Sequence, residues 1–284
     1  MANAARTDLA AEAQRLWSQT EKDGRLPAGV CVREEELHGL PVQAVEIRSP
    51  EAGRVLGKAP GRYYSLLLPG HAGRGSADFE RSISALRELI ARCLDRRPET
   101  VLAAALGNPD ITPDALGNLT AGLLLVTRHL KRERPADFAS FASVALCRPG
   151  VLGTSGIESA AQVKLLCSAL KPELVVVVDA LAGCEAEGLG RTVQVSDAGL
   201  APGSGVGNDR PELSRASLGV PVLTLGMPTV IDAGLFGGEA LGQMFVTPRS
   251  IDTLVCDGAR VIAYALNLAL HPGLTISDVD ALVS

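Results

Sequence analysis

From residue 78 onward the chain alternates segments of helical period with short apolar runs, and no other feature restricts its fold so strongly. Asp78 to Arg96 places Phe79, Ile83, Leu86, Leu89, Ile90 and Leu94 at helical spacing with charges between them, which predicts an amphipathic helix. Val101 to Leu106 then reads as a buried strand. The pattern repeats as a helix over Pro113 to Arg132, a strand near Ser143 to Cys147, a helix over Ile157 to Leu170 and a strand over Leu174 to Val178. Val193 to Ser196 and Val220 to Leu225 add strands, and Ile251 to Leu270 forms a long closing helix. Strands separated by helix-length segments pair in parallel through right-handed crossovers. The expected class is therefore α/β, with a mixed, mostly parallel sheet and helices on both faces. Ahead of it, Gly29 to Leu37, Val42 to Ser49 and Tyr63 to Pro69 read as strands of an antiparallel start. No repeat, low-complexity tract or linker interrupts residues 1–284, which read as a single α/β domain.

A chain of 284 residues with 46% hydrophobic content can bury a large core, and with aromatics at 3% that core must be built from Leu, Val, Ile and Ala. The formal charge of −5 argues against a surface that neutralises phosphates directly. Protein, peptide or small-molecule ligands fit better. The N-terminus carries Arg, Asp and Glu where a secretory signal needs apolar residues. No run approaches the roughly 18 apolar residues of a membrane span, so a cytoplasmic protein is expected. The six cysteines, Cys31, Cys93, Cys147, Cys167, Cys184 and Cys256, are scattered with no C-x-x-C and read as reduced, mostly buried side chains.

Two aspartates lie at or just beyond apolar runs: Asp114 in LGNPDITPDALG (106–117) and Asp179 in LVVVVDALAG (174–183). In open α/β sheets ligands bind beyond the carboxyl ends of the strands. Two carboxylates gathered there can share one proton and do acid and base work together. Each also has a structural reading. Thr112 and Pro113 could begin a helix in which Asp114 is a first-turn acid favoured by the dipole. Asp179 could cap a turn, although a carboxylate after four valines must find hydrogen-bond partners or take up a proton. Asp197 and Asp232 also follow apolar stretches and either supplement the site or cap turns.

In PGVLGTSG (149–156), Ser155 with Glu158 fits a capping box. PGSGVGN (202–208) looks like a phosphate cradle but lacks the spacing of a nucleotide loop. Backbone N–H groups of both loops are candidate oxyanion donors. There is no G-x-S-x-G elbow and no H-E-x-x-H, and His38, His71, His129 and His271 are scattered. His129 is expected near a helix end, in a structural role. A paired-carboxylate chemistry is what remains, with no cofactor or metal called for. A non-catalytic peptide-binding module whose aspartates only cap turns stays open on these residues.

The motifs and their order resemble the germination protease family of spore-forming bacteria, atypical aspartic peptidases. The matching stretches are RTDLAAEA (6–13), ALGNPDITPDALG (105–117), VTRHL (126–130), PGVLGTSGIES (149–159), VVVVDALA (175–182), TVQVSDAGLAPGSGVGN (192–208), LGVPVLTLGMPTVIDA (218–233) and MFVTPRSID (244–252). The resemblance implies an endopeptidase that cleaves small acid-soluble, DNA-protecting spore proteins during germination in the spore core. It acts as a homotetramer, with no membrane contact and with nucleic acid met only through the substrate. The family's proposed catalytic aspartates fall on Asp114 and Asp179. The implied fold is similar to that of hydrogenase-maturation endopeptidases, which suggests a metal-assisted maturation endopeptidase as the alternative activity. The family is usually made as a zymogen with a short pro-segment ahead of the RTDLA motif, where this sequence has Met1 to Ala5. The stretch between Asp232 and Met244 is shorter than in typical members. Cys184 stands where small and basic residues are more common.

Overall fold

A computed structural model describes residues 6–20, 25–70, 72–207, 210–237, 241–242 and 244–283. Its strands are β1 (Val30–Leu37), β2 (Leu40–Ile47), β3 (Gly61–Leu67), β4 (Thr100–Ala105), β5 (Ser143–Cys147), β6 (Leu174–Gly183), β7 (Thr192–Ser196), β8 (Val222–Asp232) and β9 (Phe245–Val246). The helices are α1 (Ala10–Thr20), α2 (Pro50–Leu56), α3 (Ala77–Cys93), α4 (Leu116–Ala121), α5 (Arg128–Glu133), α6 (Leu152–Ser155), α7 (Ser159–Leu170), α8 (Arg215–Leu218), α9 (Gly234–Gly237), α10 (Ile251–Leu270) and α11 (Ile276–Val283).

All nine described strands join one mixed sheet in the order β1-β2-β3-β7-β8-β6-β4-β5, with β9 on the far end of β8. The block β8-β6-β4-β5 is parallel, and β1, β2, β3 and β7 form an antiparallel wing. The class expected from the alternation is thus observed. The β1–β2 hairpin closes through His38 and Gly39, both at positive φ (52° and 76°), the pair of left-handed residues that matches strand twist in a two-residue turn.

Burial explains the layers. Along β6, Val176 and Val178 face a core with α3 and α10, whereas Val175 and Val177 face a second core with α7. A strand covered on both faces needs an unbroken apolar run, which Leu174 to Val178 supplies. A third cluster, including Val45, Ile47 and Tyr63, is roofed by α1 and α2 on the α7 side of the sheet. On that side, therefore, two helical roofs cover the two halves of the sheet, and the polar residues of β7, β8 and β6 lie along the seam between them.

Several expectations need correction. The helix expected over 113–132 is three pieces: a 3-10 turn at Thr112–Asp114, then α4, then α5 after a non-helical stretch. Buried Asn267 of α10 holds that stretch, accepting from Leu125 N at 3.0 Å and donating to Leu123 O at 2.8 Å. The apolar period continues across the break, but the backbone bonds are made to another element. β6 and β8 run further than expected because they pair as far as Gly183 and Ile231, so Asp179 lies within its strand. α10 is long and apolar enough to cross a membrane, contrary to the sequence expectation, but it is mostly buried as a core helix. Helix α11 closes the chain beyond it, with Tyr264 Oη donating to Asp280 at 2.6 Å. All six cysteines are free. His71, Asn208 and Met1 to Ala5 lie outside the described residues.

Candidate functional site

Asp179 is 5% exposed, on β6 opposite Gly226 of β8, with its side chain on the seam face. Among the described residues its Oδ1 accepts from the next amide, Ala180 N, at 3.0 Å. Burial pushes this carboxyl well above the usual range, and the charges of Asp114 and then Asp8 push it further; Arg210 acts weakly in the opposite sense. Asp114 ends the 3-10 turn packed against β6 and is half-buried. Its Oδ2 accepts from Asn108 N at 2.7 Å, which together with Arg210 opposes the upward push of burial. Ile111 rather than Thr112 is the N-cap and no side chain caps the turn, but Pro113 and Asp114 do lie in its first turn, with the Asp114 carboxylate turned back on the loop after β4.

Close backbone packing sets this arrangement. A Cβ on Gly117 would stand 2.5 Å from Leu106 O and 2.6 Å from Val178 O, so only glycine lets α4 rest on the ends of β4 and β6. Asn118 Nδ2 donates to Gly107 O at 3.0 Å and ties the same loop to α4.

Three further groups join the two expected aspartates. Asp8 accepts from Ala182 N at 2.8 Å through Oδ2 and from Ser204 Oγ at 2.7 Å through Oδ1, while its own amide donates to Ala182 O at 2.8 Å. It pairs where the β6–β8 register shifts between Leu181 and Ala182, Thr229 of β8 being the extra residue of the bulge, an irregularity that re-aims a strand. A Cβ on Gly205 would come within 2.3 Å of Asp8 Oδ2, so the loop at 203–207 is a seat for this carboxylate. Gln194 pins the same segment, its Oε1 accepting from Ala10 N at 2.8 Å and its Nε2 donating to Asp8 O at 3.2 Å. Lys58 Nζ donates to Thr7 O at 2.6 Å; burial lowers its pKa, opposed by the charges of Asp8 and Glu12. A cavity of about 220 Å³ is lined by Asp8, Lys58, Gln194 and Gly226, the residue opposite Asp179. Asp8 had no sequence signal beyond its place in the RTDLA stretch, and Arg210 and Lys58 had none.

Other candidates lie elsewhere. Asp197 accepts from Arg62 Nε at 2.6 Å and from Arg62 N at 2.7 Å, a structural pair. Asp232 accepts from Gly234 N at 2.7 Å and caps a turn. The Ser155–Glu158 capping box does not form, because Ser155 ends the one-turn α6 and α7 starts at Ser159 with no side-chain cap. The amides of Thr154, Ser155 and Gly156 are bonded to Val151 and Leu152, and those of Ser204 and Gly207 are also in use, which removes them as oxyanion donors. His129 is the second residue of α5, at the start of a short helix rather than at the end of the long one expected. His38 Nε2 contacts Glu88 at 3.3 Å, and His271 is fully buried, its pKa lowered to about 4 chiefly by burial. Among the described residues no group of three or more His, Cys, Asp or Glu is placed to hold a metal ion.

Chemically, the site offers a deeply buried carboxyl that favours its protonated form beside a less buried carboxylate near an arginine. Such a pair can carry one proton between them.

Comparison with known proteins agrees with the motif order. The family model described as germination protease matches residues 5–245. The germination protease of Caldanaerobacter subterraneus subsp. tengcongensis is 35% identical, covering 98% of each chain. That of Clostridium perfringens (strain ATCC 13124) is 33% identical over 97% of this chain and 98% of its own. A Geobacillus germination protease is 39% identical over 80% of this chain and 64% of its own. Among solved structures, the NiFe hydrogenase maturation protease HycI from Thermococcus kodakarensis KOD1 aligns with 63% of this chain and 98% of its own, at 18% identity and a TM-score of 0.38. With a family model spanning most of its length and full-length relatives above 30% identity, this chain belongs to the germination protease family and is a peptidase.

Proposed function

We propose that the chain is the endopeptidase that begins degradation of the small acid-soluble, DNA-protecting spore proteins during germination, and that Asp114 and Asp179 hydrolyse the peptide bond as a pair. The observation that carries the proposal is the burial of Asp179 beside the charge of Asp114, within β6 and one residue past the last β4 pair. A peptidase needs one group that donates to the scissile carbonyl and one that takes a proton from water. Asp179, with no countercharge in direct contact among the described residues, holds the proton and donates it to the carbonyl oxygen. Asp114, ionised and bonded to Asn108 N, takes a proton from the attacking water. Collapse of the tetrahedral intermediate returns the Asp179 proton from oxygen and delivers the Asp114 proton to the leaving amine. An extended, locally unfolded substrate suits a site bounded by the 106–114 loop and the Asp8 segment. The spore-core location and the homotetramer belong to the same proposal, supported by family membership.

The test is cleavage of a purified small acid-soluble spore protein, read by mass spectrometry, for wild type, Asp114→Asn and Asp179→Asn shown to be folded. Discrete fragments from wild type alone support the pair, and fragments from all three refute it. Loss of wild-type activity with chelator would favour the metal-assisted alternative. Sedimentation equilibrium of the wild-type chain tests the tetramer.

A further inference from the structure

On the seam face of the antiparallel wing lies a groove of about 740 Å³ that the chemistry above does not use. Its position follows from register. Glu34 of β1 is opposite Gln43 of β2, Gln43 opposite Ser65 of β3, and Ser65 opposite Gln194 of β7; Gln194 is in turn opposite Gly226 and Gly226 opposite Asp179. Residues aligned in this way share a face of the sheet. One polar row therefore runs from Asp179 to the edge strand, crossed between groove and site by the segment that Gln194 pins.

The groove is strongly acidic after its internal pairs are removed. Arg15 is engaged by Glu185 at 2.6 Å and by Gln43. Glu35 turns to the opposite face and pairs with Arg92. Glu12 accepts from Thr7 Oγ1 and Cys184 N. The carboxylates of Glu34, Glu36 and Glu187 are exposed around the groove and have no ion pair among the described residues. Charges on an edge strand also prevent edge-to-edge pairing, and that accounts for those on β1. It does not account for Ser65. That residue is 7% exposed at the groove wall, and its Oγ has no hydrogen-bond partner among the described residues, a state that buried hydroxyls rarely keep unless a ligand or water completes them.

We propose that this groove is a docking site for a cationic, extended segment of the protein substrate, with lysine or arginine side chains meeting Glu34, Glu36 and Glu187 and a backbone or side-chain polar group completing Ser65. This rests on the peptidase reading of Asp179. Strands are about 4.8 Å apart, so Ser65 lies roughly 14 Å and Glu34 roughly 24 Å across the sheet from Asp179. At about 3.3 Å per extended residue the group that completes Ser65 falls about four residues from the scissile bond and the cationic side chain that meets Glu34 about seven.

The experiment uses the full chain carrying Asp179→Asn, with fluorescein-labelled hexalysine and hexaglutamate as probes and anisotropy as the readout. Hexalysine binds, more weakly as salt rises, and hexaglutamate does not. Glu34→Gln/Glu36→Gln/Glu187→Gln together weaken hexalysine at least tenfold, and Ser65→Ala alone weakens it severalfold without loss of fold. Equal hexalysine binding by the triple variant, or binding of both probes alike, overturns the proposal. So does a change of sedimenting mass in the triple variant with no hexalysine binding to the parent, which would mark the face as a contact between copies. In otherwise wild-type protein the triple variant raises KM for a substrate with lysines at the stated spacing and leaves kcat unchanged. Hexalysine binding with full activity in Asp179→Asn would refute the aspartate pair and leave the groove standing.

Discussion

Gly117→Ala tests whether close packing of α4 on the strand ends positions Asp114. The added Cβ would sit 2.5 Å from Leu106 O, 2.6 Å from Val178 O and 2.8 Å from Leu106 N, all backbone atoms of the sheet region that cannot rotate away. Ordinary contact begins near 3.4 Å, so α4 must move by about 0.9 Å. α10 packs over α4 and the Thr112–Asp114 turn, which blocks a free outward shift. Overpacking of this kind costs about 1–3 kcal/mol. For a chain of this size each kcal/mol lowers Tm by about 2–4 °C. A displacement near 1 Å at a catalytic group can lower turnover by about 10²-fold. Thermal melts and kcat on a protein substrate should therefore both fall, with KM changing less. Gly153→Ala is the control, because a Cβ there meets nothing within 4 Å and its φ is ordinary. If Gly117→Ala melts and turns over like Gly153→Ala, the link between α4 packing and Asp114 is refuted.

Asp179→Asn should be more stable than wild type at pH 8 and indistinguishable below about pH 3.5 in urea melts. The folded carboxyl is raised by burial, so the native state binds more protons than the unfolded chain above the ordinary value of about 3.9, and stability is lost as pH rises through that window. A variant less stable than wild type at pH 8 would contradict the assigned shift. Ser76 caps α3 by accepting from Phe79 N at 3.1 Å, and Ser76→Ala should cost about 1 kcal/mol in equilibrium unfolding. Leu86 is fully buried between α3 and the sheet, and Leu86→Ala should cost about 2–5 kcal/mol with kcat retained under native conditions. A cost below 1 kcal/mol would mean that the core there collapses to fill the gap.

Patterns carried by neighbouring residues were legible in the sequence. β5 at Ser143–Cys147 and α10 at Ile251–Leu270 have the expected bounds, because each is bounded by a change of period or a capping turn within a few residues. Asp179 stood out since four buried valines lead into it. The break after α4 was invisible, because Asn267 imposes it from more than 140 residues away. Asp8 was invisible as a site residue for the same reason, its partner Ala182 lying 174 residues along the chain. Ser155 and Glu158 had the letters of a capping box, but Gly156 adopts a left-handed turn that ends α6 before α7 begins.

What the sequence determined by itself was the class of fold, the positions of most elements and the two carboxylates worth watching. Those follow from hydrophobic period and from the cost of a charge beside an apolar run, which are local quantities. Only the tertiary structure decided which strands are neighbours, and with it the gathering of Asp8, Asp114 and Asp179. The same register lines up Glu34, Gln43 and Ser65 from three strands in one acidic groove. Shifting any one of those strands by a single residue would send its side chain to the opposite face.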